Sequence, residues 1–310
     1  MTETTKTVFE KYEIRKTKTQ KTAFIEYVQS VANENGYTCT IEKGAFGVRN
    51  IVIGSPEKAK VLYTAHYDTP SVMPFPNFIT PKHFILYLLY QIVVSLLFMI
   101  VPCGTVTFLA SKLLHTTSSL SLLLVFEASL LCVILLMICG PANRHTANDN
   151  TSGVTLLLDL MVEMPTVLRE NAAFVFFDLE EAGLLGSSAF AKKHAGAHRK
   201  PLINFDCVSD GEHILFAVKK EARAYMTKLK ESFTEDEYCT TEFQDKGVFY
   251  PSDQANFKQG IAVASLKRFK KTNILYADRI HTRRDTIYRE ENIRFLVQKT
   301  IHFTKKMNDI

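Results

Sequence analysis

The chain has 310 residues, 37 basic against 32 acidic side chains, a formal charge of +5 and 46% hydrophobic residues. That length suits one large domain with a sizeable core, here one domain carrying an insertion, and the mild, dispersed positive surplus implies no nucleic-acid partner. Six cysteines without a C-x-x-C pair argue against a disulfide scaffold or zinc ribbon; with no apolar stretch in the first sixteen residues, a reducing, cytoplasmic setting is the default expectation.

Basic residues gather at Arg15 to Lys21, Lys267 to Lys271 and Arg283 to Arg284, and each run reads as solvated surface. From Thr22 to Asn33, Phe24, Tyr27, Val28 and Val31 recur at helical spacing. "TCTIEKG", "NIVIG" and "KVLYTAHY" then read as strands. Phe84 to Val101 is an uncharged apolar run long enough for a transmembrane helix. A break at Pro102-Cys103-Gly104 and the polar patch "HTTSS" separate it from a second run, Ser119 to Cys139, whose only charge is Glu127.

These runs predict a membrane hairpin over residues 81–140, with helices at about 84–101 and 119–139, that contacts the lipid bilayer through residues 84–139. A soluble helical arm buried in a dimer is the alternative, but neither run has the polar stripe such a helix normally shows. Lys82, His83, Arg144 and His145 flank the pair, which places both flanks, and the folded domain, on the cytoplasmic side. Glu127 is expected to hydrogen-bond Gln91 or Ser95 across the hairpin, with a self-association face, and hence a homo-oligomer, as the other reading.

Residues 1–80 and 141–310 then form a single α/β domain. "TSGVTLLLDLMVEM" is a helix, "AAFVFFDL" and "PLINFDCV" are buried strands, and "REENIRFLVQKTIHFTKKM" is a closing amphipathic helix. Apolar strands alternating with helices predict a mixed, mostly parallel central sheet covered on both faces.

Acidic or imidazole groups stand where these strands run out or a helix begins. They are His66 and Asp68 after "KVLYTA", Asp149 before "TSGVTLLL", Glu180 and Glu181 after "AAFVFFDL", Asp206 in "LINFDCV", and His281 after "NILYADRI". Ligands of open α/β sheets gather beyond the carboxyl ends of the strands, so these groups can converge on one crevice. Five carboxylates brought together repel unless a cation sits among them. Two imidazoles and several carboxylates without a thiolate suit Zn²⁺ or a related divalent ion, and a bridging carboxylate is the usual means of holding a pair of ions for hydrolysis.

In its motifs the chain resembles the family M28 metallopeptidases, the co-catalytic zinc aminopeptidases and related carboxypeptidases. The matching stretches are "HYD" at His66 to Asp68, "NDNTSG" at Asn148 to Gly153, "EEAGLLGS" at Glu180 to Ser187, "NFD" at Asn204 to Asp206, "YPSDQANF" at Tyr250 to Phe257 and "IHTRRDT" at Ile280 to Thr286. The resemblance implies that His66 and Asp206 hold one metal ion, that Glu181 and His281 hold the other, and that Asp149 bridges them. It makes Glu180 the general base that activates a bridging water. Asp68 becomes the hydrogen-bond partner of His66, and a side chain two positions along a strand faces the same way as the first. Tyr250, Ser252, Asp253 and Phe257 are expected beside the substrate pocket, with core packing an equal account of Phe257. Gly183 and Gly186 are expected to allow tight turns, with Ser187 beginning a helix.

The interval from His66 to Asp149 exceeds the family's usual spacing, and the surplus is the hairpin. The expectation is a membrane-anchored dinuclear exopeptidase acting on peptides, most readily an aminopeptidase. A carboxypeptidase, a glutaminyl cyclase or a non-catalytic receptor or scaffold are the alternatives on the same fold.

Overall fold

In the computed structural model, which describes residues 1–115 and 118–308, every strand expected from the sequence belongs to one nine-stranded sheet. The strands are β1 (Cys39–Lys43), β2 (Arg49–Ile53), β3 (Val61–His66), β4 (Ala172–Phe177), β5 (Leu202–Phe205), β6 (His213–Val218), β7 (Thr240–Gln244), β8 (Gly260–Arg268) and β9 (Leu275–Tyr276). Their order is β1-β2-β4-β3-β5-β8-β6-β7, with β9 paired to β8. The central β4, β3, β5 and β8 run parallel, while β2, β6 and β9 join antiparallel. The fold is therefore mixed α/β with a largely parallel centre.

Alternation along the central strands explains the two-sided core. Val61, Tyr63 and Ala65 of β3, with Phe174 and Phe176 of β4, pack toward one layer. That layer contains the helices α1 (Glu3–Lys11), α2 (Lys18–Glu34), Gly153–Glu163 and Glu290–Asn308. Leu62, Ala173, Val175 and Phe177 face the other side, against Phe190 and Ala191 of the helix Leu185–Lys193. A period of two with both faces apolar is what a strand covered on both sides requires.

Two helices, α3 (Phe84–Leu113) and α4 (Ser119–Cys139), are long and apolar enough to cross a membrane, and neither buries its apolar span in the domain. Large side chains such as Ile85 and Leu120 are 73% and 67% exposed. The expected break at Pro102-Cys103-Gly104 does not end the first helix, which continues to Leu113. A π-turn at Leu96–Ile100 lies one residue ahead of Pro102, across Val101, where the missing proline N–H interrupts the helical ladder. Gln91 donates to Asn77 Oδ1 at 3.2 Å, outside the hairpin.

The basic run Arg15 to Lys21 is not solvated throughout. Arg15 is fully buried, and Lys21 is buried in an ion pair with Asp178. Arg15 donates to the carbonyls of Tyr67 (2.6 Å), Tyr12 (2.6 Å) and Glu13 (2.9 Å) and to Thr151 Oγ1 (3.2 Å). Its delocalised cation satisfies several carbonyls at once, which a surface reading of the sequence does not foresee.

Candidate metal centre

The parallel strands deliver their polar ends to one place. His66 is the last residue of β3, Asp206 follows β5, and Asp178 to Glu181 follow β4. Asp149 lies in the turn Ala147–Ser152 that enters the helix Gly153–Glu163, and His281 lies in the loop beyond β9.

Asp149 is at the centre of the group. Its Oδ1 is 3.3 Å from His66 Nε2, and its Oδ2 is 3.1 Å from His281 Nε2. His66 Nε2 is also 3.5 Å from Asp206 Oδ1, and His281 Nε2 is 3.3 Å from Glu181 Oε2. One carboxylate thus faces two imidazoles, each with a second carboxylate of its own. Ligand atoms of His66, Asp149 and Glu181 all lie within 4.8 Å of one another. Two ligands held about 2.1 Å from a tetrahedral zinc ion are about 3.4 Å apart, close to the separations found here. Glu181 Oε1 is buried without a hydrogen-bond partner. The donor set fits divalent ions on chemistry and on spacing.

The electrostatics point the same way. Burial pushes the Glu181 carboxyl up to about 8, where the His281 charge opposes it and the Asp149 charge adds to it. Burial likewise lifts Glu180 well above its ordinary range, against the pull of His66 and with help from Glu181, Asp253 and Asp206. Burial pulls His281 down, but Glu181 and Asp149 outweigh it and raise the imidazole to about 9. For Asp149 burial acts upward and is overcome by the two imidazoles, so its carboxyl sits below the ordinary range. Acids held protonated beside imidazoles held charged are the signature of a cluster short of positive charge.

Supporting groups fix this arrangement. Asp68 is 3.6 Å from His66 Nδ1, too far for a hydrogen bond, and its carboxylate instead accepts the N–H groups of Glu180 (3.0 Å) and Glu181 (3.2 Å). It therefore clamps the glutamate turn more directly than it holds the ring. Asp285, passed over in the sequence, does the same for the Asp149 turn: Oδ1 accepts Asn148 N–H and Oδ2 accepts Asp149 N–H, both at 2.9 Å. The only hint of it was its place inside "IHTRRDT", four residues after His281. Leu179, Cys207 and His281 adopt φ of 54°, 59° and 65°, a costly left-handed conformation for residues with side chains. Gly183 turns at φ +101°, and a Cβ at Gly186 would meet Asp178 O at 2.2 Å, so both glycines are required where they stand. Gly186 lies inside the helix rather than in a turn before it, since that helix begins at Leu185, two residues before Ser187.

The four expected pocket residues divide. Tyr250 is buried and donates to Asp206 O at 3.1 Å, and Ser252 accepts from Asn204 Nδ2 at 2.9 Å. Asp253 is fully buried with both carboxylate oxygens unpartnered; burial lifts it to about 7, with His66 opposing. Phe257 is a core residue stacked on Phe177 at 6.0 Å, so packing accounts for it and it does not line the cleft. The mouth of the centre is a cavity of about 510 Å³ lined by Asp68, Glu181, Lys16 and the end of the hairpin, Ile138 to Ala142.

Comparisons with known proteins agree with this architecture. The chain superposes on a glutaminyl cyclase from Porphyromonas gingivalis with a TM-score of 0.59 at 14% identity, covering 97% of this chain and 98% of that one. It superposes on the LapA aminopeptidase of Legionella pneumophila with a TM-score of 0.58 at 14% identity, covering 98% and 68%. A Zn-dependent exopeptidase from Parabacteroides distasonis matches with a TM-score of 0.57 at 13% identity, covering 97% of each chain. No curated protein matches by sequence. The sequence profile of peptidase family M28 matches residues 135–296, more than half of the chain and most of the site, and the chain belongs to that family.

Proposed function

We propose that the chain is a membrane-anchored, dinuclear zinc exopeptidase, most readily an aminopeptidase, with its catalytic domain on the cytoplasmic side. The observation that carries the reading is the position of Asp149, whose two oxygens face His66 and His281 separately. His66, Asp206 and Asp149 would hold one ion, and Glu181, His281 and Asp149 the other. When bound, such ions polarise a carbonyl and acidify a water.

The chain's own residues supply the rest. Glu180, lifted by burial beside Glu181, Asp253 and Asp206, takes a proton from the attacking water and returns it to the leaving amine. Asp68 fixes the glutamate turn through two backbone hydrogen bonds. Asp285 fixes the turn that presents Asp149. The two apolar helices anchor the domain, and the Lys82, His83, Arg144 and His145 flanks favour the cytoplasmic face.

The fold is shared with glutaminyl cyclases as well as aminopeptidases, so the test must separate them. Protein purified in detergent with zinc is offered free, N-blocked and C-blocked peptides, and peptides beginning with Gln. Hydrolysis of free and C-blocked peptides alone supports an aminopeptidase. Cleavage restricted to free C-termini identifies a carboxypeptidase, ring closure of N-terminal Gln a cyclase, and failure to retain metal a scaffold.

A further inference from the structure

A cavity of about 220 Å³ lies between the hairpin and the candidate metal centre. Its walls include Tyr87, Tyr90, Val94 and Met99 of α3 and Met137 of α4, and it closes on His281. Among the described residues no Asp, Glu, Lys or Arg lines it; of its polar walls, Gln91 donates to Asn77 Oδ1 at 3.2 Å, and Ser95 completes them. An engineered apolar cavity of about 150 Å³ accepts benzene, so this one has room for one large apolar side chain. Methionine walls adapt to aromatic and branched aliphatic shapes alike.

The cavity is held in register with the centre by the loop between β3 and α3. Met73 N–H donates to His281 O at 2.8 Å and Asn77 N–H to Ile280 O at 3.2 Å, while Tyr90 donates to Pro76 O at 2.5 Å. The same loop therefore grips the His281 turn on one side and the first apolar helix on the other. A side chain in the cavity would lie against His281 while the rest of its peptide reached the carboxylates.

We infer that this cavity is the subsite for a large apolar side chain of the substrate residue next to the scissile bond, so that the hairpin selects apolar peptides as well as anchoring the domain. The inference rests on the exopeptidase reading. Its physical content is separable, because the cavity either takes an apolar side chain or does not.

The test uses the full-length protein in lipid nanodiscs with zinc, and reads the ratio of kcat/KM for Phe-Ala and Ala-Ala. Wild type should favour Phe-Ala at least tenfold, the usual worth of a fitted apolar side chain. Val94→Phe fills the cavity and should cut that ratio at least tenfold. Met99→Ala enlarges it and should move the optimum toward naphthylalanine-Ala, which keeps the test alive should the first variant not fold. A wild type without the preference, or ratios that both variants leave unchanged, overturns the inference.

Hydrolysis of neither peptide sinks the exopeptidase reading alone, and binding then decides. The chain has no tryptophan, so emission from added L-tryptophanamide reports its own surroundings. A saturable blue shift with wild type that is absent with Val94→Phe supports the subsite. No shift, or one that Val94→Phe preserves, removes it.

Discussion

Asp285→Asn isolates the contribution of a group that touches no expected ligand side chain. In the wild type one carboxylate accepts two successive N–H groups, Asn148 and Asp149, each at 2.9 Å, with the side chain 1% exposed. Asparagine keeps one acceptor and turns an NH₂ toward the other amide, so a buried hydrogen bond is lost and two donors meet. An unmade buried hydrogen bond costs about 1–3 kcal/mol, and at about 1.4 kcal/mol per tenfold this corresponds to a loss of roughly 5- to 150-fold in zinc affinity. Groups that orient metal ligands through hydrogen bonds commonly count for 10- to 100-fold. Competition against a fluorescent zinc chelator in detergent measures it. Affinity within twofold of wild type would refute the assignment of Asp285 as the group that orients the bridge.

The same variant makes a second, independent statement about pH. Burial, with the Asp149 charge adding to it, raises the Asp285 carboxyl from its ordinary 3.8 to about 7. A group raised on folding gives its full stabilisation below its unfolded value and loses it as pH rises through the folded one. The wild type therefore gives up stability at this position between about pH 4 and pH 7, whereas asparagine does not titrate. In EDTA, the melting temperature of the variant relative to wild type should improve as pH is raised from about 5 to about 7, and a flat or falling difference would refute this sign.

Glu180→Gln should retain zinc by elemental analysis yet lose about 10²- to 10⁴-fold in turnover, since it removes only the proton acceptor. Zinc affinity should fall as pH is lowered, because Glu181 near 8 and His281 near 9 must shed protons to bind; each displaced proton is worth about tenfold per pH unit, and calorimetry at pH 7 in buffers of different ionisation enthalpy counts them. Zero proton release would contradict that assignment. Arg15→Met strands three carbonyls and a hydroxyl and should destabilise the fold by about 3 kcal/mol, seen as a lowered melting temperature. An unchanged melting temperature would mean that water replaces the guanidinium there.

What could be read in advance followed from local pattern. β3, β4 and β5 are mostly apolar runs, and a titratable residue stands at the end of β3 (His66) or directly after β4 and β5 (Asp178, Asp206), so both the sheet and the convergence of charge on one edge were visible. The pairing of β6, β7 and β8 was not, because "GIAVASLKR" is rich in Gly, Ala and Ser, which carry little strand preference, and its place is set by neighbours distant in sequence. Arg15 misled because a buried guanidinium and a solvated one look alike until the carbonyls of Tyr12, Glu13 and Tyr67 are assembled around it. Asp68 was placed beside His66 on strand geometry and does lie 3.6 Å from its Nδ1, but its closer bonds to the N–H groups of Glu180 and Glu181 were not legible. In each case the missed fact depends on backbone groups that only the folded chain brings together.

The hairpin separates two expected metal ligands in sequence without separating them in space, and loop physics explains why this is inexpensive. Closure entropy grows with the logarithm of length, so lengthening the segment between His66 and Asp149 roughly fourfold costs only about 1.2 kcal/mol. Contacts at the neck offset that. Ser71 and Ala142 form an antiparallel bridge, Val72 N–H donates to Pro141 O at 2.8 Å, and Asn143 N–H donates to Pro70 O at 2.9 Å. Lys16 Nζ reaches Ile138 O at 2.8 Å, placing a cation on the carbonyl end of α4, where the helix dipole favours one. At about 0.5–1.5 kcal/mol net for each hydrogen bond, the neck outweighs the added closure cost. The insertion leaves and rejoins the domain at adjacent points close in sequence to His66 and Asp149, so an exposed apolar element can be built into the wall of the candidate centre without disturbing its expected ligands.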